Sequence, residues 1–383
     1  MNFAVENATL KGSVQIPGSK SHTIRAVAIA ALASGESVIE QPLESADACA
    51  ARHAYAMLGA TINESSDCWR IQGTGGLFTP PENVIDVGNS GTTMRMALGS
   101  AALLQSGKTV LTGDDQVRRR PCGPLAESLT ALGATVESTR SNGMPPFIIS
   151  GPLRGGTTTL EAITSQYVSS LLLNTPLAKG DTQLLVPLLN EKPYVIMTLD
   201  WLQKQGVHIS HNDELSEFHI PGGQQYAPVR RAIPADFSSA TFFLAAGALP
   251  DNEIVCCGLD MKDTQGDKAV VEYLKAMGVK IVLDELGIRV TGGILQGCEL
   301  DLNATPDALP MLAALACFAD GETHLVNVPQ ARLKETDRIS VMRRELEKLG
   351  AKITEQDDGM IIEGTSLHGG DVEGHDDHRV IMA

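Results

Sequence analysis

AMLGATI, at residues 56–62, is the key to this chain, because the same pattern returns four more times. In each copy a helix is predicted to end at a glycine and a strand to follow. The other copies are ALGATV (131–136), LQKQGVHI (202–209), LKAMGVKI (274–281) and LEKLGAKI (346–353). A glycine at this place can adopt the left-handed backbone conformation that ends a helix. Successive glycines lie 72 to 74 residues apart, so the sequence predicts a structural repeat.

The sequences on either side extend the pattern into a larger repeat. A second strand follows the first, and a helix of small residues precedes a strand that opens after a turn. The second strands are WRIQG, PFIISG, FHIPG, IRVTG and MIIEG, and the opening strands are GESVIEQ, GKTVLTG, GDTQLLV, DNEIVCC and GETHLVN. Each repeat is predicted to run strand, helix, strand, helix, strand, strand. This order predicts an α/β fold, and the long period favours compact bundles over a solenoid.

The register of the repeat also extends past the last residue. A sixth glycine is expected near position 422, whereas the sequence given ends at Ala383. The segment GGDVEGHDDHRVIMA begins a sixth repeat and stops early in its first helix. From the period alone, we expect the last part of the sixth repeat to be missing.

Composition narrows the class of protein. The 383 residues include 30 Lys and Arg against 46 Asp and Glu, which gives a net charge of −16. Such an acidic chain is a poor partner for nucleic acid or an anionic membrane surface. The sequence has no apolar run of the roughly 20 residues that span a bilayer and no secretory signal pattern. Its seven cysteines form no CxxC pair, so we expect a cytoplasmic protein with free thiols.

Basic residues gather where the small-residue helices are predicted to begin, and in the loops after the next strands. Positive side chains are unfavourable at a helix N-terminus, so their repeated presence there indicates a shared anionic ligand. Plain helix capping and, for the run at 118–120, a solvated surface are the alternatives. The cations are Lys20, Arg25, Arg95, Arg118, Arg120, Lys334, Arg338 and Arg379.

Two acids lie among these cations. Asp307 opens a predicted helix in ATPDALP, and Glu335 lies inside LKETDR. Neighbouring cations favour an ionised carboxylate that can act as a base, whereas a proton donor needs burial or ligand charge to offset them. The alternatives are a helix cap for Asp307 and a surface ion pair with Lys334 or Arg338 for Glu335.

Other constellations give weaker predictions. GSKS at 18–21 lacks the glycine spacing of a phosphate-binding P-loop, and no G-x-G-x-x-G follows a strand. The HDDH run at 375–378 has no second His or Cys cluster to complete a metal site, so no metal is predicted. Cys122 lies near Arg120, but an isolated thiol is more often inert than nucleophilic.

In these residues and the segments around them, the chain resembles the 5-enolpyruvylshikimate-3-phosphate synthase family of enolpyruvyl transferases along its whole length. The resemblance implies a two-domain inside-out α/β barrel with three βαβαββ repeats around a pseudo-threefold axis in each domain. It implies domains at 17–231 and at 1–16 plus 232–383. The matching segments are PGSKS (17–21), VGNSGTTMR (87–95), RRRP (118–121), SQ (165–166), KPY (192–194), DFSSA (236–240), QGD (265–267), PDA (306–308), LKETDR (333–338) and DHR (377–379).

The resemblance also implies an activity. The family transfers the enolpyruvyl group of phosphoenolpyruvate to the 5-hydroxyl of shikimate 3-phosphate and releases phosphate, through a tetrahedral intermediate, in chorismate and aromatic amino acid biosynthesis. These two small molecules are the expected partners, no cofactor is expected, and a monomer is expected.

Residue roles are implied in the same way. Asp307 resembles the base, Glu335 the acid, and Lys20 a participant in proton transfer. The residues that resemble phosphoenolpyruvate contacts are Lys20, Gly91, Arg120, Gln166, Arg338 and Arg379, with Asn89 and Arg95 nearby. Those that resemble shikimate 3-phosphate contacts are Lys20, Ser21, Arg25, Thr164, Ser165, Gln166, Asp307 and Lys334.

Two positions depart from the family pattern, and the absent part of the sixth repeat would hold a further lysine. Glu191 stands where the family usually has a serine that contacts the substrate phosphate, and Gln330 stands where asparagine is usual. An ionised Glu191 would repel a phosphate, so we expect it to point away, to be protonated or to contact something else.

Two other functions compete with this interpretation. UDP-N-acetylglucosamine enolpyruvyl transferase shares the architecture, but its family has Lys-Asn where this chain has Lys20-Ser21, and a reactive cysteine in the loop where residues 112–120 have none. A non-catalytic anion-binding remnant would explain Glu191 and the absent end. The presence of both Asp307 and Glu335 favours catalysis over that alternative.

Overall fold

A computed structural model describes residues 3–65 and 67–383 and divides them into two compact units. The middle unit is Gly18–Pro234, and the terminal unit combines the residues up to Pro17 with Ala235–Ala383. Each unit has its own apolar core. No helix of the described ranges is long and apolar enough to cross a membrane.

The helices of the two units are mostly short. In the middle unit they are α1 (Lys20–Leu32), α2 (Ala46–Met57), α3 (Gly91–Ala101), α4 (Gly123–Ala131), α5 (Ser165–Asn174) and α6 (Lys192–Lys204). In the terminal unit they are α7 (Phe237–Ala248), α8 (Val270–Ala276), α9 (Leu309–Ala316), α10 (Arg338–Glu347) and α11 (His378–Met382).

The strands follow the helices in a regular order. They are β1 (Lys11–Gln15), β2 (Glu36–Glu40), β3 (Thr61–Glu64), β4 (Cys68–Gln72), β5 (Ile85–Asp86), β6 (Thr109–Thr112), β7 (Thr135–Ser138), β8 (Phe147–Ser150), β9 (Gly156–Ala162), β10 (Thr182–Leu189), β11 (Ser210–His211), β12 (Glu217–Ile220), β13 (Arg230–Ala232), β14 (Glu253–Cys257), β15 (Lys280–Asp284), β16 (Gly287–Thr291), β17 (Leu295–Gln296), β18 (Glu299–Asp301), β19 (Ala319–Asp320), β20 (Glu322–Val326), β21 (Lys352–Gln356) and β22 (Gly359–Glu363).

The predicted repeat is confirmed by this order. The second repeat runs β5, α3, β6, α4, β7, β8, and the third runs β9, α5, β10, α6, β11, β12. All five of the glycines that define the register have positive φ, from 75° to 112°, as a left-handed helix end requires. These are Gly59, Gly133, Gly206, Gly278 and Gly350.

Each repeat contributes a four-stranded sheet with one parallel and two antiparallel pairings. The middle unit has the sheets β13-β2-β4-β3, β5-β6-β8-β7 and β9-β10-β12-β11, and the terminal unit has β1-β14-β16-β15 and β18-β20-β22-β21. A small parallel pair, β17-β19, completes the terminal unit. Two strands pair with partners that are distant in sequence. β1 pairs with β14 in the terminal unit, and β13 pairs with β2 in the middle unit.

Small residues explain why some helices are buried on nearly every side. Almost all of α1, α3 and α5 is buried in the middle unit, and so is all of α9 in the terminal unit. A helix that is apolar all round is stable only when other elements surround it, and Ala, Ser and Gly allow close approach. At Gly99 of α3, an added Cβ would lie 2.4 Å from the Oγ of Ser170 on α5. Three of the basic residues singled out in the sequence lie on these helices, namely Lys20 and Arg25 on α1 and Arg95 on α3.

Candidate active site

In the middle unit, the first turn of α3 forms a cradle for two arginines. Gly91 is the first residue of α3, and a Cβ there would lie 2.6 Å from Nη1 of Arg120 and 2.8 Å from Nη1 of Arg95. Nη1 of Arg95 donates to the carbonyl of Gly91 at 3.2 Å and to Oε1 of Gln166 at 2.9 Å. The glycine therefore lets both guanidinium groups lie against a helix N-terminus, where a bound anion is favoured.

Arg120 is held from a second side by an amide network. Its Nη2 donates to Oδ1 of Asn89 at 3.2 Å, and Nδ2 of Asn89 donates to Oδ2 of Asp114 at 2.7 Å. Asn89 thus orients Arg120 while Asp114 orients Asn89. The arginine run of residues 118–120 is divided accordingly, because Arg118 pairs with Asp115 near the surface while Arg120 is buried.

Arg25 of α1 connects this helix with α5 and α6. This side chain is 1% exposed, and its Nε donates to Oγ1 of Thr198 at 2.8 Å while Nη2 donates to Oγ of Ser169 at 3.3 Å. Burial lowers the pKa of Arg25 to about 10, against smaller opposing effects of Tyr194 and Glu191. Lys20, which opens α1, has its Nζ 4.0 Å from Oδ2 of Asp47.

Glu191 faces the beginning of α5 instead of pointing away. Its Oε2 accepts hydrogen bonds from the Ser165 amide at 3.1 Å, from the Ser165 hydroxyl at 2.8 Å and from the Thr164 hydroxyl at 3.1 Å. The residue is 2% exposed. Of the alternatives that the sequence left open, the carboxylate therefore contacts two residues predicted to bind the substrate.

In the terminal unit, three carboxylates surround a fully buried guanidinium. Nη1 of Arg338 donates to Oδ1 of Asp307 at 2.8 Å, Nη2 to Oε2 of Glu335 at 2.7 Å, and Nε to Oδ2 of Asp377 at 2.9 Å. Burial opposes the charge of Arg338, but Glu335, Asp307 and Asp377 outweigh it and raise the arginine pKa. One side chain thus fixes the positions of both predicted acid–base groups.

Two more predicted cations reach the same acid. Nζ of Lys334 lies 3.9 Å and Nη2 of Arg379 lies 3.7 Å from the carboxylate of Asp307. Nη1 of Arg379 donates to the Ser238 carbonyl at 3.1 Å, and its buried Nε has no hydrogen-bond partner among the described residues. Asp307 lies inside a short 3-10 helix, Pro306–Ala308, so its carboxylate serves this cluster of cations rather than opening a regular helix.

Asp377 is a site residue that is not among the candidates predicted from the sequence. It is fully buried, caps α11 through the amide of Arg379 at 2.9 Å, and accepts from Arg338 and from Oγ1 of Thr336 at 3.1 Å. The DHR segment contained the signal, since an Asp before a helix is a typical cap. Its long-range pairing with Arg338 could not be read from spacing.

The structure also shows the surroundings of Cys122 and Gln330, two residues with weaker predictions from the sequence. The buried Cys122 has its thiol pKa raised by burial, against the opposing effects of Arg95 and Arg120, which is unsuited to a nucleophile. Nε2 of Gln330 donates to the Asn303 carbonyl at 2.9 Å, while its buried Oε1 lacks a partner within the described ranges. Across the same ranges, no group of three or more His, Cys, Asp or Glu side chains could hold a metal ion.

Comparison with known proteins gives one consistent result. The family model of EPSP synthase (3-phosphoshikimate 1-carboxyvinyltransferase) matches residues 5–383. Proteins named 3-phosphoshikimate 1-carboxyvinyltransferase from Ruminiclostridium cellulolyticum and Acetivibrio thermocellus are 51% and 50% identical over the whole chain, which covers 90% of each relative. A solved structure of EPSP synthase from Acinetobacter baumannii has a TM-score of 0.80 at 29% identity, covering 98% of this chain and 88% of that one.

Proposed function

The chain belongs to the EPSP synthase (3-phosphoshikimate 1-carboxyvinyltransferase) family, and from this membership we propose a role for each residue of the two clusters. The protein is a transferase that moves the enolpyruvyl group of phosphoenolpyruvate to shikimate 3-phosphate in aromatic amino acid biosynthesis. The predicted two-domain α/β fold and the predicted reaction class are confirmed by these comparisons. The individual residue roles are the proposal.

Phosphoenolpyruvate is assigned to the arginine cradle of the middle unit. Gly91 and Gln166 surround the guanidinium of Arg95, and Arg120 lies beside it, oriented by Asn89. Arginine pairs bidentately with phosphate and carboxylate, and phosphoenolpyruvate carries both groups. We assign Lys20, Arg338 and Arg379 to the same ligand through their family positions. The buried Nε of Arg379 has no hydrogen-bond partner among the residues that the structure describes, and this supports the assignment, since a buried donor needs an acceptor.

Shikimate 3-phosphate is assigned to the first turns of α1 and α5. Thr164, Ser165 and Gln166 offer hydroxyl, amide and carboxamide donors at one helix N-terminus, which suits a phosphate group. Ser21 and Arg25 lie one turn apart on α1, and Nη1 of Arg25 donates to the Ser21 carbonyl at 3.1 Å. Lys20, Asp307 and Lys334 complete the assignment.

The chemistry is assigned to the carboxylates around Arg338. The 5-hydroxyl oxygen attacks the substituted alkene carbon while Asp307 accepts its proton, and Glu335 donates a proton to the methylene carbon. The tetrahedral intermediate then loses phosphate, which takes the proton held by Asp307, and the ionised Glu335 takes back a methyl proton, which restores the double bond. Lys20 shares in these proton transfers. The steps move protons and phosphate and no electrons between redox partners, so the proposed reaction needs no redox cofactor.

The observation that carries the proposal is the pair of bonds from Arg338 to Asp307 and Glu335. One buried guanidinium holds both carboxylates at 2.7 to 2.8 Å, so neither is free to turn away. General acid–base catalysis requires groups fixed within hydrogen-bond reach of the reacting atoms. A surface ion pair, the alternative for Glu335, would leave the arginine exposed, whereas Arg338 is 1% exposed.

Release of phosphate tests this function. The chain is incubated with phosphoenolpyruvate and shikimate 3-phosphate together, and with each alone. We expect phosphate only when both are present, together with a product that contains the enolpyruvyl ether. Binding of both substrates without turnover would support the remnant alternative instead, and phosphate release with phosphoenolpyruvate alone would indicate hydrolysis rather than transfer.

The compartment, the oligomeric state and the domain boundaries of the enzyme are also proposals. We propose a cytoplasmic monomer, with family domains at 17–231 and at 1–16 plus 232–383. All seven cysteines are free, which suits a reducing compartment. The compact units divide at Pro17 and Pro234, close to these boundaries. Sedimentation at several concentrations would test the monomer.

A further inference from the structure

Glu191 occupies a place that the proposed function gives to the substrate. It lies between β10 and α6, on a different segment from α5, and its side chain reaches the beginning of α5. Its backbone has φ 58° and ψ 41°, a left-handed conformation that a glutamate rarely adopts. A strained backbone persists when the contacts of the residue maintain it. The three hydrogen bonds to Thr164 and Ser165 are such contacts.

The arrangement is that of an anion site already filled by an anion. One carboxylate oxygen accepts from an amide and from two hydroxyl groups at the N-terminus of α5, at 2.8 to 3.1 Å. A phosphate oxygen takes the same donors at a helix N-terminus. Glu191 also interacts electrostatically with Arg25 of α1 and Arg95 of α3, which are both buried. The carboxylate therefore uses both the donors and part of the positive charge that a phosphate would need.

We propose that Glu191 is an affinity-determining residue of this enzyme, an internal stand-in for the phosphate of shikimate 3-phosphate that the substrate must displace. The inference rests on the proposed function, because it takes Thr164 and Ser165 as contacts of that phosphate. A carboxylate oxygen and a phosphate oxygen cannot occupy one position, and two like charges in a buried site repel each other. Binding of the substrate therefore includes breaking the bonds from Thr164 and Ser165 to Glu191. In the absence of substrate, the carboxylate keeps the donors of Thr164 and Ser165 hydrogen-bonded.

Two substitutions separate the charge of Glu191 from its occupation of the site. Glu191→Gln keeps the shape and an acceptor but removes the charge, whereas Glu191→Ser removes both and restores the residue usual in the family. We expect the KM for shikimate 3-phosphate to fall about threefold with Gln and about tenfold with Ser, a tenfold change being about 1.4 kcal/mol. In both variants, the KM for phosphoenolpyruvate should change less than the KM for shikimate 3-phosphate. Glu161→Gln, an exposed carboxylate on β9, is the matched control and should leave both KM values unchanged.

A melting experiment distinguishes this role from a purely structural one. Glu191→Ser removes three hydrogen bonds from the ligand-free protein, and Glu191→Gln weakens them by removing the charge, so both variants should melt at a lower temperature than the wild type. Saturating shikimate 3-phosphate should raise the melting temperature of the Ser variant more than that of the wild type, because tighter binding stabilises the folded state more strongly. A structural role alone predicts the same shift with ligand in all three proteins.

The outcomes separate failure of this inference from failure of the proposed function. Wild-type turnover tests the function by itself. If the wild type turns over and both variants leave the KM for shikimate 3-phosphate unchanged or higher, the inference is overturned and Glu191 is a substrate contact or a structural cap. If no protein turns over, calorimetric titration with shikimate 3-phosphate makes the same comparison through Kd. Tighter binding by the variants supports the inference, and equal or weaker binding overturns it.

Discussion

The two clusters use arginine in opposite ways. In the middle unit, Arg95 and Arg120 are held largely by neutral groups, namely the Gly91 carbonyl, the Gln166 carboxamide and the Asn89 carboxamide. In the terminal unit, Arg338 is surrounded by three carboxylates. Neutral partners orient a guanidinium without cancelling its charge, which remains available to an anionic ligand. Carboxylate partners offset much of the charge, so that this arginine also fixes the acids in place beside the proposed ligand.

Arg338→Met should break this comparison most severely. It leaves Asp377 buried without its cation, and breaking a buried ion pair typically costs about 3–5 kcal/mol. We expect the free energy of unfolding to fall by about 3 kcal/mol or more and turnover to be lost. Urea denaturation and the phosphate-release assay measure the two effects. Arg344→Met, on the exposed side of the same helix α10, should change stability by less than about 0.5 kcal/mol.

Asp307→Asn should separate catalysis from stability in the terminal unit. The amide oxygen can still accept from Arg338, so the fold is kept, but the proton acceptor is lost. Positioned acid–base groups contribute about 10²–10⁴-fold to a rate, and we expect kcat to fall by a factor in this range. Steady-state kinetics and a melting curve on one sample measure both. Asp320→Asn, an exposed acid on β19, is the control; equal losses of kcat in the two variants would contradict a specific role for Asp307.

Gly91→Ala tests the neutral cradle. The added methyl group would meet Nη1 of Arg120 and of Arg95 at 2.6 and 2.8 Å, so the flexible guanidinium ends must move. We expect the KM for phosphoenolpyruvate to rise about tenfold, which is about 1.4 kcal/mol, while stability changes little. Gly123→Ala at the beginning of α4, where a Cβ has ordinary contacts at 3.6 Å or more, should leave the KM near the wild-type value. An unchanged KM in Gly91→Ala would remove the cradle from the proposed site.

The sequence predicted the repeat well because a glycine at a helix end leaves a local signal. Gly59, Gly133 and their counterparts show that signal through spacing alone, and the structure confirms each one. The cations were predicted as a group because a positive charge at a helix N-terminus is locally unfavourable. The pairing of Asp377 with Arg338 was not predicted, since 39 residues separate them and no local rule connects them. The direction of the Glu191 side chain was left open for the same reason.

The smallest expected effect concerns acid stability, which should differ between the two units. Glu345 and Glu355, both in the terminal unit, have pKa values of about 2. Burial works against the charge of Glu345, but Lys348 and His375 outweigh it, while Ser340 and then Arg343 stabilise the ionised Glu355. A carboxyl group whose pKa is lowered by folding stabilises the folded protein at pH values above its ordinary pKa. This contribution is lost as the pH falls towards 2. Below pH 4.5 we therefore expect the terminal unit to unfold first.

The middle unit contains both tryptophans, Trp69 and Trp201, so circular dichroism should change before tryptophan fluorescence does. Glu345→Gln should narrow that gap by removing part of the acid-sensitive contribution, and coincident transitions in the wild type would show that the two units unfold together.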